Sequence, residues 1–90
     1  MRTARRYLIS GRVQGVGFRW FVHDAAAREG VHGWVRNLPD GTVEAFVEGD
    51  IESVVRLEAA LRRGPAAARV EEFTTEEQAP SGRQTGFEIR

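Results

Sequence analysis

From Arg5 to Val13 the chain alternates, with Tyr7, Ile9, Gly11 and Val13 on one parity and Leu8, Ser10 and Arg12 on the other, which predicts a first strand. The period then changes. Phe18, Phe21, Val22, Ala25 and Ala26 fall on one side of a helix, and Gly30 ends it. Alternation returns from Val31 to Leu38, where Val31, Gly33, Val35 and Asn37 oppose His32, Trp34, Arg36 and Leu38. Pro39-Asp40-Gly41 follows, and proline at the second and glycine at the fourth turn position suit a type I turn closing a hairpin. The return strand, Thr42 to Glu48, sets Val43, Ala45 and Val47 against Glu44, Phe46 and Glu48. One buried face and one mostly wet face are expected.

Asp50 is placed to cap a second helix, with Glu52 and Glu58 near complementary arginines and with Ile51, Val54, Val55, Leu57 and Leu61 as its apolar stripe. Arg62-Arg63-Gly64-Pro65 stops it: basic residues at the negative end of the helix dipole, then glycine, then proline. A fourth strand is predicted over Arg69 to Glu77, where Val70 and Phe73 have opposite parity and so imply a β-bulge near Glu71 or Glu72. After a polar loop from Ala79 to Arg83, Thr85, Phe87 and Ile89 alternate in a short last strand.

That order is the split βαβ, ferredoxin-like α+β arrangement: βαββαβ, with two helices on one face of a four- to five-stranded antiparallel sheet. Its first and second strands run parallel and end at the same sheet edge. The loop after Val13 is therefore expected to meet the end of the second strand, near Asn37.

Composition narrows this little. Ninety residues allow one core, so a single domain over residues 1 to 90 is expected. Cysteine is absent, which excludes disulfides and thiolate metal sites and fits a reducing cytoplasm. No apolar run approaches the ~18 residues of a membrane span, and Met1 to Arg6 lacks the pattern of a signal peptide. Thirteen basic residues balance 13 acidic ones, so no basic footprint for nucleic acid is present. All the basic residues are arginine, which we read as codon bias.

The candidate chemistry lies in Gly11 to Arg19, reading G-R-V-Q-G-V-G-F-R. Three glycines in nine residues let the backbone turn sharply and aim several N–H groups at one spot. Arg19 adds a fixed charge, and a helix beginning near Phe18 would point its positive end at the same place. It is neither a Walker loop nor a dinucleotide fingerprint. Taken singly, the loop could be a tight turn, Arg19 a solvated first-turn residue and Asn37 a hairpin-flanking amide. His23 and His32 have no partners at metal-ligand spacing, so both are expected at the surface and no metal or cofactor is implied. Trp20 and Trp34 are expected to be packing groups. Arg12, Arg36 and Arg90 are assigned no catalytic role.

G-R-V-Q-G-V-G-F-R, followed about 14 residues later by G-W-V-R-N-L-P-D-G-T-V-E-A, resembles the acylphosphatase family over nearly the whole chain, through Gly64-Pro65 to the terminal Phe87-Glu88-Ile89-Arg90. The resemblance implies hydrolysis of acyl phosphates to a carboxylate and inorganic phosphate. It implies that Arg19 binds the phosphate and Asn37 positions the attacking water. The N–H groups of Gln14, Gly15, Val16, Gly17, Phe18 and Arg19 could supply the remaining donors. A small-molecule substrate, inorganic phosphate as product and a monomeric enzyme are expected, with no nucleic acid and no membrane. Two other readings stay open: a module that binds phosphate without turnover, and an RNA-binding module, against which the acidic Glu44 and Glu48 beside Phe46 argue.

Overall fold

Left-handed glycines set the first helix between two turns, Gly17 (φ 76°) before it and Gly30 (φ 69°) after it, a conformation that only glycine adopts without strain. In the computed structural model, which describes all 90 residues, the elements are β1 (Arg2–Arg12), α1 (Phe18–Glu29), β2 (His32–Asn37), β3 (Val43–Asp50), α2 (Ile51–Arg63), β4 (Arg69–Gln78) and β5 (Phe87–Ile89). The first strand begins earlier than its alternation suggests, because Arg2, Thr3 and Ala4 pair with Asp50, Gly49 and Glu48.

The five strands lie in the order β4-β1-β3-β2-β5. Since β3 is antiparallel to both β1 and β2, those two are parallel to each other and end at one edge. The hairpin closes as expected, with Leu38 O accepting from Gly41 N at 3.1 Å across Pro39 and Asp40. On β4, Glu72 faces Ser10 and Val70 faces Gly11, so Glu71 is the extra residue of the expected bulge. The four strands β4, β1, β3 and β2 are antiparallel as expected, and the added β5 runs parallel to β2. The cause is the connection. β4 ends beside Ala4, the chain crosses that end of the sheet, and β5 must then start where β2 starts.

Tyr7, Ile9, Val35, Val43, Ala45 and Val47 from the sheet meet Phe18, Val22, Ala25 and Ala26 from α1 and Val54, Leu57 and Leu61 from α2 in one cluster of 15 buried residues. Each large side chain so buried stabilises the fold by about 1.5–3 kcal/mol. The apolar stripe of α2 is narrower than its sequence suggests. Ile51 and Val55 are exposed, Val55 because it is turned about 100° from Val54, off the buried line. Asp50 sits at the N-cap without capping through its side chain, which instead accepts from the N-terminal amine of Met1. Glu58 pairs with Arg62 and Arg5, whereas Arg56 reaches across to Glu29 of α1.

The helix-free face also differs from expectation. Glu44 and Glu48, read as wet, are 4% and 0% exposed. Glu44 accepts from Arg6 Nε and Arg36 Nε, both at 2.6 Å. Glu48 accepts from Ser81 N, Ser81 Oγ and Gly82 N in the loop that crosses from β4 to β5. Alternation cannot show this, because the covering loop lies more than 30 residues further along. Trp34 packs as expected, stacked on Phe46 with ring centroids 6.2 Å apart and the Arg36 and Arg90 guanidiniums over it. Trp20 does not: it is 64% exposed.

Candidate active site

The site forms where β1 stops. Val13, still fully packed, anchors the departing chain, and the loop then turns through Gly15 (φ 73°) and Gly17 (φ 76°) into α1. Both glycines are set by this backbone conformation and not by crowding, since a Cβ at either would meet nothing within 4 Å. The first N–H groups of any α-helix lack intrahelical partners. Here no side chain caps them and no acidic residue stands in the first turn, so the positive end of α1 is open to an anion.

A cavity of about 200 Å³ lies against this loop, lined by Val13, Gly15, Gly17, Phe18, Arg19, Trp20 and Asn37. The residues expected from sequence thus converge in part. Gly15, Gly17, Phe18, Arg19 and Asn37 share the cavity; Gln14 and Val16 do not line it. Phe18 is itself buried in the core, which leaves its main chain to serve the site. Val16 packs against the same core.

Arg19 is partly buried and, alone among the arginines that are not fully exposed, makes no ion pair. Its guanidinium fork is therefore unclaimed by any carboxylate. Asn37 reaches the cavity from the last position of β2, on the helix-facing parity of the sheet, opposite Val43. Its Oδ1 is buried and has no hydrogen-bond partner. Leaving such an oxygen unpaired costs about 1–3 kcal/mol, a penalty that a bound donor would relieve.

The side chain of Gln14 has a task of its own, beside the main-chain role expected from sequence. Its Nε2 donates to Leu38 O at 2.8 Å and to Thr42 O at 2.9 Å, tying the glycine loop to the β2–β3 hairpin next to Asn37. Sequence reasoning missed this strut because its acceptors are backbone carbonyls 24 and 28 residues away. Asp40 rigidifies the same hairpin, accepting from Thr42 N and Thr42 Oγ1, and those bonds hold its carboxyl below the ordinary range.

The open helix end and the unpaired Arg19 suit an anion, Asn37 shares their cavity, and the sequence model of the acylphosphatase family matches residues 5–89. The chain belongs to the acylphosphatase family. An acylphosphatase of Thermococcus kodakarensis is 51% identical over 90 residues, covering 99% of this chain and 98% of that one. Among solved structures, the fold superposes on an acylphosphatase from Bacillus subtilis with a TM-score of 0.94 at 33% identity, covering 100% and 99% of the two chains. An acylphosphatase from Coxiella burnetii gives 0.93 at 35% identity, over 99% and 93%. The family membership thus spans the whole fold, both glycine loop and hairpin included.

Proposed function

We propose that the chain hydrolyses acyl phosphates to a carboxylate and inorganic phosphate, with the loop from Gln14 to Arg19 holding the phosphoryl group and Asn37 holding the water. The observation that carries this reading is one cavity lined by both Arg19, which has no ion pair, and Asn37, whose buried Oδ1 has no partner. The Arg19 guanidinium and the loop N–H groups stabilise charge on the equatorial oxygens. Asn37 Oδ1 accepts a hydrogen bond from water and aims the water's oxygen at phosphorus. As that P–O bond forms, the bond from phosphorus to the acyl oxygen breaks and the carboxylate leaves with the electron pair. The water's proton passes to a phosphate oxygen. Asn37 is not a base, and a carboxylate leaving group needs little help, so positioning and charge stabilisation do the work.

The residues invoked pack on one core, so we read the chain as a single domain whose site needs no residue from a second copy. Steady-state hydrolysis of benzoyl phosphate tests the assignment. Arg19→Lys keeps the charge and loses the bidentate fork; we expect kcat/KM to fall about 100-fold or more. Asn37→Ala is expected to lower kcat by a similar factor while competitive inhibition by inorganic phosphate changes little. Full turnover in both folded variants would sink the residue assignment, and equal loss of turnover and phosphate inhibition in Asn37→Ala would remove the water-holding role.

A further inference from the structure

Trp20 is the one aromatic side chain that the fold leaves exposed, and it stands in the wall of the cavity formed by Arg19 and Asn37. An exposed indole forfeits most of the stabilisation an aromatic gains by burial, so fold stability does not account for it. The ring is nonetheless braced. It sits edge-on to His23, with centroids 5.7 Å apart and planes at 71°, and His23 in turn meets the edge of Phe87 at 6.4 Å. Phe87 packs against the core.

Cavity size gives this placement a consequence. About 200 Å³ is less than the ~300–1,000 Å³ of pockets that enclose a drug-sized ligand. Such a space suits a phosphoryl group and the carboxyl joined to it, and the remainder of an acyl group extends past the rim. We propose that Trp20 is a specificity-determining residue: a platform for the acyl group that favours acyl phosphates with flat or apolar acyl groups over small ones. This rests on the acyl phosphate reading of the site. The contact involves a part of the substrate that does not react, so it strengthens ground and transition states alike and acts on KM more than on kcat.

Two measurements test it. In Trp20→Ala, the ratio of kcat/KM for benzoyl phosphate to that for acetyl phosphate should fall about three- to tenfold, mainly through KM. Trp20→Phe, which keeps an aromatic face, should restore the ratio to within about twofold of the parent. An unchanged ratio in folded Trp20→Ala overturns the proposal, as does an equal loss in Trp20→Phe. The second measurement does not depend on turnover. In Trp34→Phe the indole of Trp20 is the sole tryptophan, and benzoylphosphonate should shift its emission to the blue where inorganic phosphate does not. A shift without any hydrolysis by the parent protein would remove the catalytic reading and leave the platform standing; no shift beside normal hydrolysis would do the reverse.

Discussion

Two amide side chains flank the site, and they differ in what they have left to give. Both hydrogens of the Gln14 amide are spent on Leu38 O and Thr42 O, whereas Asn37 Oδ1 has no partner. One amide is tied into the fold and the other keeps an unmet acceptor. Gln14→Ala should therefore act through Asn37. Removing the strut frees the hairpin beside Asn37, and we expect a stability loss of about 1–3 kcal/mol by urea unfolding. Turnover of benzoyl phosphate should fall further than inhibition by inorganic phosphate, since the helix end and Arg19 remain. A variant as stable and as active as the parent would show that the tie holds nothing in place. Asn37 was legible in the sequence through its motif and its strand parity; the strut was not, because a backbone acceptor leaves no mark on the residue that carries it.

At the scale of elements, sequence reads best where one residue's own backbone decides. Gly30 and Gly64 end their helices, Pro39 to Gly41 makes its turn, and the bulge falls on Glu71, all from local chemistry. It reads less well where a distant segment decides. The direction of β5 follows from the path of the crossing loop, and the width of the apolar stripe of α2 follows from how the helix meets the sheet. That stripe provides a test. Leu57 is fully buried and Val55 is half exposed, although both belong to the same sequence pattern. Leu57→Ala should cost about 2–5 kcal/mol, while Val55→Glu should stay within about 0.5 kcal/mol of the parent. Comparable losses in denaturant midpoint for the two would place Val55 in the core after all.

For the molecule as a whole, the helix-free face of the sheet carries a pH dependence. Burial pushes the carboxyls of Glu44 and Glu48 up, but the opposing contacts prevail and hold both below the ordinary value of 4.5. For Glu44 these are the hydrogen bonds and charges of Arg36 and Arg6; for Glu48 they are the N–H groups of Gly82 and Ser81, the Ser81 hydroxyl and Arg2. A carboxyl whose folded-state pKa is depressed stabilises the fold above its unfolded value, and that contribution disappears as pH falls through the folded value. Stability should accordingly decline below about pH 4.5. Glu44→Gln and Glu48→Gln keep the shape and remove the charge, so each should be less stable than the parent by about 1–3 kcal/mol at pH 7. At pH 3 the unfolded chain has taken up protons that the folded carboxyls resist, which cancels part of their contribution, and the gap should narrow. Equal gaps at both pH values, measured by urea unfolding, would mean that these two carboxylates are not the source. Neither residue lines the cavity, so the acid loss should follow unfolding and not a change in the chemistry of the site.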